Sequence, residues 1–235
     1  MIDVLILGAS WAPENHPVTN AFAEALDPVQ FSPRMVLYSG IRAEAERALA
    51  SEIDRCDKSV VVAGYAQGAA FAGDFVARSG AGTYRGKKII ACALIADPLR
   101  PRGCSIGRDP GGYGILGQRV IHGTQAYWAA APADLTTALP AHSSLRAIPE
   151  VCEYLGISTE GEMVRWGRNV IDASIREQLR GYPLRVWRGR NPELTRGVGY
   201  LFAKSHSDDY LKHGHVVSLA DTLNSEVIPA GGEIL

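Results

Sequence analysis

The sequence lacks three features that would each indicate a particular class of protein. Its four cysteines form no Cys-x-x-Cys pair and have no His-x-x-x-His partner, so we interpret them as thiols without a metal. The formal net charge is only −1, which gives no electrostatic signal for nucleic acid or an anionic membrane. No apolar run approaches the length of a membrane span. We therefore expect no metal or other cofactor, no nucleic-acid partner and no stable membrane insertion.

The sequence also predicts no targeting segment. Residues 1–8 are too short a run, with the wrong flanks, to resemble a signal peptide. We therefore expect the protein to be made in the cytoplasm. With 46% hydrophobic and 21% charged residues, it has the composition of an ordinary globular protein that can bury a core.

Strand and helix patterns alternate along the first two-thirds of the chain, which predicts a parallel sheet with helices on both faces. Strands are expected near residues 4–7, 34–38, 60–63, 88–95 and 119–127, with helices at 19–26, 43–53 and 69–78. Residues 98–117 form a predicted long loop. Helical patterns at 144–154, 160–179 and 192–204 predict a small cap of about 144–205. We expect one α/β domain over residues 1–235, with this cap as a subdomain.

The most informative segment is a predicted strand-to-helix turn at residues 64–68, Gly-Tyr-Ala-Gln-Gly. A continuously apolar run precedes it, and a run rich in small residues follows it, as in a buried strand leading into a helix. In serine hydrolases the sequence Gly-x-Ser-x-Gly forms a strained elbow that exposes the serine. Here Ala66 occupies the serine position, whereas Gly64 and Gly68 are kept. A simple tight connection between strand and helix is the alternative interpretation.

Two carboxylates could serve as the acid of a catalytic triad. In an α/β-hydrolase the nucleophile, acid and histidine follow in that chain order. Asp134 comes after the last predicted strand and is the favoured acid, although it could instead cap the N-terminus of a helix. Asp97 ends the strand before it and more often would cap a turn in the sequence Ala-Asp-Pro.

Three histidines near the end of the chain are candidates for the base. His206, His213 and His215 are predicted to share one loop before a helix at residues 218–224. With the neighbouring carboxylates Asp208 and Asp209 they could also suggest a metal site, but zinc ligands usually converge from fixed elements. The remaining histidines (His16, His122 and His142) have no such context and are expected at the surface or in the core.

These segments resemble a known family. Residues 64–68 are similar to the Gly-Tyr-Ser-Gln-Gly elbow shared by cutinases and mycobacteriophage lysin B, the mycolyl-arabinogalactan esterase. Residues 96–103 resemble the lysin B segment Gly-Asn-Pro-Met-Arg-Gln-x-Gly, and Asp134 lies where that family has Gly-Asp-Met around its acid. Residues 201–205 resemble a Phe-Phe-Ala-Arg-Ser helix end. When the two sequences are aligned onward from this segment without a gap, the histidine of the family falls on His213. His215 and His206 are the alternatives.

The resemblance implies a cutinase-like α/β-hydrolase fold and a serine esterase with Ala66 at the nucleophile position. It implies that the oxyanion would rest on the backbone N–H of Gln67 and one from the turn at Ser10. The family's His-Gly-Thr-Gly sequence is replaced here by Leu-Gly-Ala-Ser at residues 7–10, which leaves that second donor open. The helical cap would suit an enzyme that holds a long lipid or a polysaccharide ester.

Two functions follow from this resemblance. The first is a lysin B-like esterase that cleaves mycolate esters of the actinobacterial envelope during phage lysis, inactive in this chain because the nucleophile is missing. Such a protein would act at the envelope after lysis. The second is a natural pseudoenzyme of the same fold that binds lipid or cell wall, or serves as a structural protein of a phage.

Overall fold

The computed structural model describes residues 1–11, 14–57, 59–80, 82–147, 154, 159, 161–162, 165–169, 172 and 205–227. Most of the predicted cap of residues 144–205 lies outside this set. So do nearly all of the three helices that were predicted within the cap.

A parallel sheet forms the centre of the described structure, as the alternating pattern predicts. Its five parallel strands follow the spatial order β2-β1-β3-β5-β6, and the short β4 pairs antiparallel with β5. The strands are β1 (Ile2–Leu7), β2 (Phe31–Met35), β3 (Val60–Tyr65), β4 (Thr83–Tyr84), β5 (Lys87–Ile95) and β6 (Gln125–Ala129).

Helices cover both faces of this sheet, so its inner strands are apolar on both sides. The helices are α1 (Pro17–Ala25), α2 (Arg42–Arg55), α3 (Gln67–Arg78), α4 (Ser205–Lys212) and α5 (His215–Glu226), with a 3₁₀ turn at Ser144–Ala147. Successive side chains of β1 enter two separate cores. Val4 and Ile6 pack with residues of α1 and α5, whereas Leu5 and Leu7 pack with residues of α2 and α3. The fold is therefore a mixed α/β structure with a central parallel sheet.

The order of the strands locates a crevice. After β1 the chain passes to β2 on one side, and it then crosses to β3 on the other side. In open parallel sheets this reversal leaves a crevice at the carboxyl ends of the two strands, where ligands usually bind. The segment after β1 and the turn after β3 meet at this crevice.

Several predicted elements differ from the structure. The predicted loop with three histidines is wrong: α4 and α5 occupy this segment, with a turn at Gly214, whose φ is 69°. Serine and aspartate in α4 are weak helix formers, so its helical pattern is faint in the sequence. The strand predicted at 119–127 begins only at Gln125, because Arg119 turns into the protein to make the buried ion pair described below.

None of the helices in the described parts of the chain is long and apolar enough to cross a membrane.

Candidate functional site at the carboxyl ends of the strands

The strand-to-helix turn after β3 has the strained geometry of a nucleophile elbow. Ala66 has φ 56° and ψ −119°, and it is the residue that precedes the first turn of α3. A positive φ is uncommon for a residue with a side chain and indicates local strain. The Ala66 N–H donates to the Ile95 carbonyl at 2.9 Å, which ties the elbow to the end of β5. The residue is fully buried.

The two glycines of the elbow are required by close backbone contacts. A Cβ on Gly64 would lie 2.5 Å from the Gly68 carbonyl oxygen, and a Cβ on Gly68 would lie 2.2 Å from the carbonyl oxygens of Leu7 and Gly8. Real Cβ atoms do not approach backbone oxygens so closely. These glycines therefore let α3 pack against both its own strand and the end of β1, as predicted for an elbow.

The Gln67 side chain joins the elbow to the segment after β1. Its Oε1 accepts hydrogen bonds from the Ser10 hydroxyl and from the Ser10 backbone N–H, the latter at 3.3 Å. Its Nε2 donates to the Tyr154 carbonyl at 3.4 Å. The structure thus brings together the two residues predicted to supply the oxyanion hole. The Ser10 N–H, however, donates to the Gln67 side chain in this structure.

Asp134 is a fully buried carboxylate that follows β6. Its Oδ1 accepts from the Thr136 backbone N–H at 2.9 Å and from the Thr136 hydroxyl at 2.5 Å. Its Oδ2 accepts from the Tyr210 hydroxyl at 2.6 Å. One oxygen therefore caps the turn that follows, where the alternative prediction expected the start of a helix, while the other faces α4.

Tyrosine rings connect Asp134 with the elbow. Tyr65, which immediately precedes Ala66, meets the ring of Tyr210 edge-on with centroids 6.5 Å apart. Burial raises the pKa of Tyr65 far above its usual value, a hydrogen bond with Ser207 opposes this shift, and the negative charge of Asp134 adds to it. Tyr210 therefore links the end of β3 with the Asp134 carboxylate.

Asp97 has different partners and a structural role. Its carboxylate accepts from the Leu99 N–H at 3.0 Å, which is the turn contact that the sequence predicts. It also accepts from the Trp128 indole at 2.9 Å and forms an ion pair with Arg119 at 2.5 Å. Arg119 in turn pairs with Asp74 of α3 at 2.9 Å. Burial raises the pKa of Asp97, and the positive charge of Arg119 opposes this shift.

Of the three candidate base histidines, His206 lies on α4, His213 follows the last residue of α4, and His215 begins α5. His213 is exposed, and His215 is half-buried with its ring 6.3 Å from that of His213 and 6.0 Å from Tyr210. Burial lowers the pKa of His215, as does the neighbouring His213, whereas Asp209 opposes the shift. Among the described residues, no hydrogen bond joins His213 or His215 to Asp134. The side chain of His206 lies outside the description, but its backbone is in the first turn of α4, four residues before Tyr210.

His16 is a residue near the elbow that sequence reasoning did not select. Its Nδ1 accepts from the Val18 N–H at 3.3 Å at the start of α1, and its ring stacks on Tyr65 with centroids 4.5 Å apart. Its Nε2 lies 3.1 Å from the Ser207 hydroxyl. Because Nδ1 accepts, the neutral ring carries its proton on Nε2, which then donates to the Ser207 hydroxyl. Pro17 at the first helical position was the available signal for this cap.

An aromatic cluster borders the Gln67 side of the site. The Trp11 and Trp166 rings flank Tyr154, with centroids 6.1 Å and 5.2 Å from it. The cluster is buried or half-buried, and the Tyr154 carbonyl is an acceptor for Gln67. The structure thus places apolar rings next to the predicted oxyanion region.

Within the described ranges, no group of three or more His, Cys, Asp or Glu side chains could hold a metal ion.

Comparisons with known proteins give little support for a function. No family model matches the chain, and no curated protein matches it by sequence. Among solved structures the chain is similar to a cutinase-like protein from Cryptococcus sp., with 16% identity and a TM-score of 0.43, over 67% of this chain and 97% of that one. A similarity this weak carries no argument about activity or substrate.

Proposed function

We propose that this chain is a serine esterase of the lysin B type that carries alanine at its nucleophile position. One observation carries the proposal: Ala66 sits at positive φ in a strained elbow whose glycines make contacts that no other residue would allow. Strain of this kind costs about 1–3 kcal/mol and usually persists at functional sites. An alanine gains nothing from it, whereas a serine would gain a hydroxyl held in one orientation.

With serine at position 66, the chemistry would be acyl transfer. The hydroxyl would attack the ester carbonyl while a histidine takes its proton, and the same histidine would then protonate the leaving alcohol. Water would hydrolyse the acyl-enzyme in a second, equivalent cycle. The Gln67 N–H at the start of α3, together with Ser10, would stabilise the oxyanion, once Ser10 is released from the Gln67 side chain. Asp134 would orient the histidine.

Without that hydroxyl no acyl-enzyme can form. Loss of the nucleophile in serine hydrolases removes a factor of about a million in turnover. The chain should therefore be close to inactive as an esterase in its present sequence.

The choice of base is part of this proposal. The sequence register favours His213, with His215 and His206 as alternatives. His206 stays a candidate because its helix, α4, also carries Tyr210, which contacts Asp134. The exposure of His213 argues against its acting deep in the site.

The proposed substrate class is a mycolate or similar lipid ester of the actinobacterial envelope, reached after phage lysis. Its support is the resemblance of four separate segments to lysin B.

A natural pseudoenzyme is the second candidate, and two observations favour it. Ala66 has no hydroxyl, and the Ser10 N–H that an oxyanion would need is directed at the Gln67 side chain. Such a protein would use the site to bind lipid or cell wall, or use its surface in a phage particle.

The test is restoration of the nucleophile. Ala66→Ser should hydrolyse short p-nitrophenyl esters at neutral pH, while the unchanged chain should not. In the restored background we would compare His206→Ala, His213→Ala and His215→Ala, with His122→Ala, an exposed histidine away from the site, as control. The substitution that removes nearly all of the gain identifies the base. A folded Ala66→Ser protein without activity would contradict the esterase and leave the pseudoenzyme.

A further inference from the structure

Asp134 is held by donors from two different parts of the chain. Thr136 supplies its backbone N–H and its hydroxyl to Oδ1 from the same turn, two residues away. Tyr210 supplies its hydroxyl to Oδ2 from α4, 76 residues away in the sequence. The local donors bind one oxygen, and a residue of α4 binds the other.

Tyr210 is itself held so that its hydroxyl can point only in a narrow range of directions. The side chain is fully buried, and its ring meets Tyr65 edge-on at 6.5 Å. The Ala131 N–H donates to the phenol oxygen at 3.3 Å, which leaves the phenol proton for Asp134. Burial and the charge of Asp134 raise the pKa of Tyr210 well above its usual value, so it remains a neutral donor.

We infer that the Tyr210 hydroxyl is a positioning group that orients the Asp134 carboxylate for its histidine, an inference that rests on the proposed esterase function. A carboxylate has about four acceptor positions, and donors on both oxygens determine which of them faces the imidazole. Because Tyr210 lies on α4, the same contact also aligns the acid with the helix that carries His206 and leads to His213 and His215.

A purely structural role for Tyr210 is the competing explanation. Its ring alone fills space between α4 and the sheet, and loss of the hydroxyl could weaken the fold in general. The two explanations differ in one respect. A positioning group matters only while the carboxylate is present, whereas a packing group matters equally without it.

The experiment is a double-mutant cycle on kcat in the Ala66→Ser background, where the esterase can be measured. We would combine Tyr210→Phe with Asp134→Asn and measure kcat and KM on a p-nitrophenyl ester. Tyr127→Phe is the matched control, because the Tyr127 hydroxyl also donates to a carboxylate, that of Glu226, at 2.8 Å and outside the site. Thermal unfolding of each variant verifies that it is folded.

With Asp134 present, Tyr210→Phe should lower kcat by about tenfold or more with little change in KM, as expected for a lost hydrogen bond to a charged group. With Asn at position 134, Tyr210→Phe should have almost no further effect, and Tyr127→Phe should have none in either background. Equal losses with and without the carboxylate, or no loss with it, would overturn the positioning role while the esterase stands. If folded Ala66→Ser has no activity, the proposed function fails and this inference fails with it.

Discussion

Two buried carboxylates at the ends of neighbouring strands have different kinds of partner. Asp97, after β5, is paired with Arg119, whose charge is shared with Asp74, so the carboxylate is part of a closed ionic network. Asp134, after β6, accepts from the backbone N–H and hydroxyl of Thr136 and from the hydroxyl of Tyr210. A guanidinium neutralises a buried charge, whereas neutral donors orient the charge without neutralising it. Their partners, more than their positions, therefore distinguish Asp97 from Asp134, the acid of the proposed triad.

The largest loss of unfolding free energy should come from breaking the ionic network. Asp97→Asn would leave Arg119 buried with only part of its compensation, and removal of one partner of such a pair costs about 3–5 kcal/mol. Asp134→Asn removes hydrogen bonds to a charged group and should cost about 1–3 kcal/mol. Urea denaturation of both variants tests this order. A smaller loss at Asp97 than at Asp134 would contradict the contrast between the two sites.

The smallest predicted effect is a loss of stability at acid pH. Burial lowers the pKa of His215 from 6.5, so the unfolded chain takes up a proton before the folded chain does. Stability should be unaffected by this residue above pH 6.5 and should fall as the pH drops below that value. Because the ring is partly exposed, the change should be below about 1 kcal/mol.

His215→Gln should flatten this part of the curve of unfolding free energy against pH, and His122→Gln should not. Equal slopes in all three proteins below pH 6.5 would show that the burial of His215 has no electrostatic consequence.

The sequence predicted the local parts of this site better than its long-range contacts. The elbow depends on a few neighbouring residues, in which Gly64 and Gly68 reveal the close packing and the apolar run before them reveals the buried strand. The turn contact of Asp97 is similarly local. By contrast, the bond from Tyr210 to Asp134 spans 76 residues, and no pattern in either segment indicates it.

Helix α4 was missed for a related physical reason. Its residues have weak intrinsic helix propensity, and the segment begins with Ser-His-Ser-Asp-Asp. The helix gains support from an ion pair between Asp208 and Lys212 at 2.8 Å and from the burial of Tyr210. Burial is a tertiary effect that the local sequence does not reveal, so the sequence predicts a loop where His206 and His215 belong to helices.

The most direct test of the account is covalent labelling at the elbow. A fluorophosphonate probe reacts with an activated serine and requires no knowledge of the natural ester. Ala66→Ser should take up a single probe molecule on the peptide that contains position 66, Asp134→Asn in that background should slow the labelling strongly, and the unchanged chain should not be labelled. A folded Ala66→Ser protein that stays unlabelled, or labelling of the unchanged chain at the same rate, would contradict the claim that this turn is the nucleophile elbow of an esterase.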